Sequence, residues 1–256
     1  MLLTVDMGNT NITIGVYEED TLRCVSRLST IREKTDDQYA LEFNQIFKLN
    51  GFSVSDFSGS IMSSVVPELT ETIRSAIEKE TDTAPIIIGP GIKTGINIRI
   101  DNPAQLGADL LVSAVAAADK YPLPCLVVDL GTASKISVIG SDGSYLGGMI
   151  SPGVAISLKA LTSNASQLPN VSLSAPPKTI GKNTVDCMQS GIVFGTAAMI
   201  DGMIIRFKEE MPDIKSVIAT GGYSSRIIKY CREKIIFDDN LILYGLKVIY
   251  DKNTHS

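Results

Sequence analysis

The chain has 256 residues, enough for one large domain or two smaller ones with sizeable cores. Hydrophobic residues make up 44% and charged residues 20%; a net charge of −5 without any run of Lys or Arg argues against nucleic acid or an anionic membrane as the main partner. No apolar run reads as long enough to span a bilayer and no basic segment precedes the apolar start, so the expected compartment is the cytoplasm.

The four cysteines (Cys24, Cys125, Cys187 and Cys231) are scattered without a CxxC pair, and read as reduced thiols. The only histidine is His255, which leaves little room for a histidine base or a histidine-rich metal centre.

Residues 1–5 form an apolar run that predicts a buried strand. Asp6 stands at its end, and Gly8 opens a tight turn whose backbone can approach a ligand. Asn9, Thr10, Asn11 and Thr13 add side-chain donors and acceptors before a second strand over 12–17. A carboxylate followed by a glycine turn suits a cation–polyphosphate ligand, although an ordinary hairpin turn has the same composition. A third strand follows over 22–28. Apolar spacing predicts a helix over 35–49 with Thr35 or Asp36 as cap and Gly51 as stop. A strand over 59–66, a helix over 67–79 begun by Pro67, and a short strand over 85–88 complete the first half.

Residues 89–95 are a glycine-rich loop without Walker A spacing. Asp101-Asn102-Pro103 is expected to cap a helix over 104–118. Gly107 then falls in its first turn at a cost of about 1 kcal/mol against alanine, and Asp109 is stabilised as the anion near the helix N-terminus.

A strand over 124–129 again ends in aspartate. Val128-Asp129-Leu130-Gly131-Thr132-Ala133-Ser134 echoes Val5-Asp6-Met7-Gly8-Asn9-Thr10-Asn11 at a distance of about 120 residues, a domain-sized spacing. Both copies lead into two more strands, here over 136–139 and 145–150. The echo predicts a duplicated α/β domain, divided into 1–118 and 119–256, with a nucleotide phosphate held between the copies. A helix over 151–163, an irregular stretch over 164–179 and a mostly helical stretch over 181–210 follow, the last with Gly191, Gly195 and Gly202 expected to allow close packing. A strand over 216–222 ends in Gly221-Gly222; a helix over 225–231, a short strand at 235–236 and a helix over 240–250 close the chain.

In this order the motifs resemble the type III pantothenate kinase family, within the actin/sugar-kinase/Hsp70 ATPase superfamily. The resemblance rests on Asp6-Met7-Gly8-Asn9-Thr10, Gly89-Pro90-Gly91, Asp101-Asn102-Pro103, Gly107-Ala108-Asp109, Asp129-Leu130-Gly131-Thr132-Ala133, Ser151-Pro152-Gly153, Gly181-Lys182-Asn183-Thr184 and Ala219-Thr220-Gly221-Gly222. It implies an α/β fold of two ribonuclease-H-like domains with a cleft between them, a homodimer, and ATP-dependent phosphorylation of pantothenate, the first step of coenzyme A synthesis. It also implies Mg²⁺ and a monovalent cation, K⁺ or NH₄⁺. By position, Asp6, Met7, Gly8, Asn9, Thr10, Asn11, Ile12 and Thr13 would hold the ATP phosphates, with Asp6 towards Mg²⁺. Thr132 would bind phosphate, Gly221 and Gly222 would lie near the adenosine, and Asp129 would hold the monovalent cation. Asp109 would be the general base. Gly107, Ala108, Asp109, Leu110, Ile100 and Thr184 would form the pantothenate side.

Five positions depart from the family pattern. Leu110 stands where an arginine is usual, Ile100 where a tyrosine is, Ser113 where an asparagine is, and Ser134-Lys135 where threonines continue the second phosphate motif. Losing one charge-assisted contact costs about 1.5–3 kcal/mol, so the changes at Leu110 and Ile100 bear on the acceptor. The alternatives are a diverged paralogue phosphorylating another small hydroxyl compound, and a non-catalytic nucleotide-binding regulatory protein. For Lys135 the ordinary expectation is a strand lysine pointing to solvent; the other reading has its ammonium reach Asp129 and stand in for the monovalent cation.

Overall fold

The computed structural model describes residues 1–165 and 167–254. His255 lies outside them. The chain divides into two compact units.

The first unit is built on the strands β1 (Leu2–Met7), β2 (Asn11–Glu18), β3 (Thr21–Ser29), β4 (Gly59–Ser64) and β5 (Ile86–Ile87), in the order β3-β2-β1-β4-β5. β1, β2 and β3 pair antiparallel; β4 and β5 add in parallel. β1 is apolar almost throughout because helices cover the sheet on both faces. On one face Val5, Met7, Ile12 and Ile14 pack with Tyr39 and Phe43 of α1 (Asp36–Leu49) and Ile73 and Ile77 of α2 (Pro67–Thr81). On the other, Leu2, Tyr17 and Ile61 pack with Val112 and Val115 of α3 (Ala108–Lys120) and Leu243, Leu246 and Ile249 of α7 (Leu241–Thr254). Thr35, not Asp36, caps α1: its hydroxyl accepts the Gln38 N–H at 3.3 Å while the Gln38 side chain accepts the Thr35 N–H at 2.9 Å.

The second unit repeats this plan. Its strands are β6 (Cys125–Leu130), β7 (Ala133–Ile139), β8 (Tyr145–Pro152), β9 (Ser216–Thr220) and β10 (Ile236–Phe237), in the order β10-β9-β6-β7-β8. Again the first three strands are antiparallel and the last two parallel. The helices are α4 (Val154–Asn164), α5 (Thr184–Glu210) and the short α6 (Ser224–Ile227). Each unit thus has the ribonuclease-H-like strand order, and the echo in the sequence is a duplication of topology.

Four expectations change. The units do not divide simply at 118/119: Asn97–Asp101 groups with the second unit, and the segment from Leu241 on returns to the first. The apolar face of α7 explains that return, since its leucines are buried against β1, β4 and α3. The helix expected from 104 is two pieces: a 3-10 turn over Pro103–Gln105, an extended Leu106, and then α3 from Ala108. Finally, α5 has 27 residues and a mean hydropathy of 1.4 in its most apolar stretch, so by length and composition it is long enough to cross a membrane. Its Ile192, Val193, Ala197, Ile200 and Ile204 are buried in the second unit's core. Gly191, Gly195 and Gly202 face open space among the described residues instead of packing closely.

Candidate active site

In the first unit, Asp6 lies one residue before the end of β1, opposite Thr13 on β2 and beside Ser63 on β4. The Ser63 hydroxyl donates to Asp6 Oδ1 at 2.7 Å. Ser63 is fully buried, so this bond fixes the carboxylate from below. The turn closes when the Gly8 N–H donates to the Asn11 carbonyl at 3.0 Å. Thr30 straps it from the end of β3: its hydroxyl donates to the Gly8 carbonyl at 2.7 Å and its N–H to the Thr10 carbonyl at 3.0 Å. The side chains of Asn9, Thr10 and Asn11 are exposed and Thr13 is half-buried. Met7 and Ile12 have no exposed surface and belong to the core, so neither side chain is available to a phosphate. Ser63 and Thr30 were not singled out from the sequence. For Ser63 the signal is register, because β4 runs parallel to β1 and places Ser63 beside Asp6; Thr30 follows the end of β3, which pairs with β2 at Asn11.

The second carboxylate of this unit is Asp109. Asn102 Oδ1 accepts the Ala104 N–H at 3.2 Å and starts the 3-10 turn. The Gly107 carbonyl then accepts the Leu111 N–H at 3.1 Å, which makes Gly107 the cap of α3 and not a residue of its first turn. Asp109 is therefore the second helical residue, at the positive end of the helix dipole. Its Oδ1 accepts the Leu110 N–H at 2.8 Å, and a Cβ at position 107 would stand 2.7 Å from that oxygen. Only glycine leaves the carboxylate its place. Ala108 and Leu110 flank it, half-buried; Ile100 and Thr184 belong to the second unit, Ile100 half-buried and Thr184 exposed at the start of α5.

In the second unit, Asp129 occupies the place in β6 that Asp6 has in β1. Its partner across the ladder is Lys135, as Thr13 is for Asp6. The Lys135 Nζ lies 2.7 Å from Asp129 Oδ2, with side-chain exposures of 13% and 10%. The expectation of a solvent-facing lysine is thus overturned. Gly221, with φ +94°, packs over the same carboxylate: a Cβ there would stand 2.4 Å from Asp129 Oδ1. Gly153 packs on the turn below, where a Cβ would stand 2.0 Å from the Thr132 carbonyl. Asp129, Thr132 and Gly221 therefore converge, and Lys135 and Gly153 join them. Next to Gly222 lies a cavity of about 350 Å³, lined by Leu158 and Lys159 of α4, Leu173, Tyr223 and Arg226.

Among the described residues no group of three or more His, Cys, Asp or Glu side chains forms a metal cage. A single carboxylate at a strand end, as at Asp6, fits Mg²⁺ held mainly by phosphate oxygens and water. Asp129 does not fit an exchangeable monovalent cation, because an ammonium already occupies its Oδ2 side.

Two ribonuclease-H-like units, each carrying an aspartate near the end of its first strand and a glycine turn after it, make up the fold of the actin-like ATPases and sugar kinases. The ROK hexokinase of Thermus thermophilus has the same fold, with a TM-score of 0.53 at 13% identity over 100% of this chain and 99% of its own. The family signature described as type III pantothenate kinase matches residues 2–206. The type III pantothenate kinase of Halalkalibacterium halodurans is 43% identical over 99% of this chain and 100% of its own length. That of Moorella thermoacetica is 42% identical over the same shares. The chain belongs to the type III pantothenate kinase family, kinases that phosphorylate pantothenate in coenzyme A biosynthesis.

Proposed function

We propose that this chain moves the γ-phosphoryl group of ATP to the primary hydroxyl of pantothenate, with Asp109 as the group that takes the hydroxyl proton. The observation that carries the assignment is the Gly107–Asp109 arrangement, in which the absent side chain at 107 makes room for the Asp109 carboxylate. A carboxylate in that role suits a chain whose only histidine is at position 255. Phosphoryl transfer demands positioning and charge neutralisation more than covalent help from the protein. The Asp6–Thr13 hairpin supplies the first: its turn is closed by Gly8 and strapped by Thr30, and its exposed Asn9, Thr10 and Asn11 side chains offer donors. Asp6 would stand beside a Mg²⁺ ion bound with the nucleotide, and the chemistry the ion would supply there is charge neutralisation. Thr132 serves as a further hydrogen-bond donor to phosphate oxygens. The cavity beside Gly222, with Lys159, Tyr223 and Arg226 on its walls, suits the adenosine end of the nucleotide.

In this reading Gly107, Ala108 and Leu110 of the first unit belong to the acceptor side, and Ile100 and Thr184 are assigned to it by their positions in the family pattern. Leu110 offers no cation to the pantothenate carboxylate, which favours a second reading, a kinase of another small hydroxyl compound. One assay separates them: ADP release with ATP, Mg²⁺ and pantothenate, beside Asp109→Asn. Pantothenate-dependent release that falls at least about a hundredfold in the variant supports the first reading. Turnover that appears only in Leu110→Arg supports the second. We further propose a homodimer through α5, whose outer face has open space at its three glycines and an exposed Ile205, and a cytoplasmic location, which four free cysteines suit. Sedimentation velocity tests the dimer.

A further inference from the structure

We infer that the Lys135 ammonium is the resident cation of the Asp129 carboxylate, and that this kinase therefore works without an exchangeable monovalent cation. The inference rests on the kinase reading above and departs from the cation that the family resemblance implies at Asp129.

In the first unit the turn after β1 leaves four residues between the paired Met7 and Ile12; in the second it leaves three between Leu130 and Ser134. The loss of one residue shifts the returning strand so that Lys135, and not the residue after it, stands opposite the aspartate. Directly opposed residues of an antiparallel pair point to the same face at close range. The ammonium thus meets Asp129 Oδ2 at 2.7 Å, and both side chains are nearly buried. Oδ1 is hemmed in by Gly221, and the Gly131 backbone lies beside it, where a Cβ would stand 3.3 Å away.

A hydrated K⁺ can shed its water only where several oxygens replace it. Here the nearest carboxylate is already neutralised on one oxygen and roofed on the other. Entry of a second cation would either set two positive charges side by side or expel the ammonium from a site that offers it burial and a partner. Removing one member of a buried pair leaves the other charge uncompensated, which is strongly unfavourable. The position of the positive charge is therefore fixed by the covalent chain.

The test is ADP release in choline chloride and in KCl at equal ionic strength. Wild type is expected to differ by less than about threefold between the salts, while Lys135→Thr, which copies Thr13 of the first hairpin, is slow in choline chloride and recovers at least about tenfold in KCl. Wild-type activation by K⁺ beyond about threefold overturns the inference, and so does a Lys135→Thr variant as active as wild type in choline chloride or one that K⁺ does not rescue. Thermal melting in the same two salts gives a readout free of activity. Wild type is expected to melt at one temperature in both; a melting temperature raised by KCl over choline chloride overturns the inference, even if Lys135→Thr fails to fold. Absence of pantothenate-dependent turnover in every salt defeats the kinase reading, and the melting comparison still decides the cation.

Discussion

The assignment of Asp109 as proton acceptor places a demand on its neighbour two residues earlier. In Gly107→Ala the new Cβ would stand 2.7 Å from Asp109 Oδ1. Ordinary van der Waals contact begins at 3.4 Å, so the carboxylate must give way by about 0.7 Å or leave its rotamer. Leaving the rotamer costs about 0.5–1.5 kcal/mol, and a misplacement of about 1 Å at a reacting group can cost a hundredfold in rate. The expected result is a fall in kcat/KM for pantothenate of roughly ten- to a hundredfold, carried mainly by kcat. Global stability is touched little, because the cap is formed by the Gly107 carbonyl, which alanine retains, and the swap at an N-cap costs about 1 kcal/mol. Steady-state kinetics by coupled ADP release, with a melting curve beside them, measure both. A variant with wild-type kcat/KM refutes the reasoning: the carboxylate would not be working from the place that the glycine keeps open.

Three other outcomes follow from contacts described above. Ser63→Ala removes the buried hydroxyl that holds Asp6 and is expected to lower stability by about 1.5–3 kcal/mol and to raise KM for MgATP; an unchanged urea midpoint would contradict it. Iodoacetamide at pH 8 is expected to modify Cys187 alone in the native protein, because Cys24 and Cys125 are buried and burial pushes the Cys125 and Cys231 thiols up to about 12; mass spectrometry should show one adduct, and further adducts only in urea. Asp36 is held down at about 2, first by Lys79 and then by Ser75. A carboxylate with a depressed folded pKa stabilises fully above its unfolded value of 3.8 and loses that contribution as pH falls towards about 2. The melting temperature of Asp36→Asn should therefore lie below wild type at neutral pH, with the gap closing across that acid window.

Most of the fold was legible because both copies announce themselves by the same chemistry, an apolar strand ended by aspartate and glycine. What hid the pairing of Lys135 with Asp129 was parity. Set side by side without a gap, the two hairpins match Lys135 to Ile12, a buried and uncharged place. The one-residue difference in turn length moves it opposite Asp129 instead, and a one-residue slip in a strand exchanges its faces. Turn length is the least visible property of a loop in a single sequence. The break before α3 was hidden for a similar reason: Pro103 and Asn102 are genuine start signals, but what they start is a single 3-10 turn, and the extended Leu106 that separates it from α3 has no compositional mark. The place of α7 could not be read either. Its apolar stripe says that it is covered, and only tertiary structure says by which unit.

The return of α7 has a consequence for synthesis. Leu243, Leu246 and Ile249 fill one face of the first sheet, and they leave the ribosome after the whole of the second unit. The amino-terminal half therefore emerges with an unfinished core, exposing Leu2, Tyr17 and Ile61 until the last helix arrives, whereas most of the second unit can consolidate meanwhile. Order of emergence and order of completion are reversed in this chain, and a nascent chain stalled before Leu241 should show a protease-resistant second unit alongside a sensitive first one.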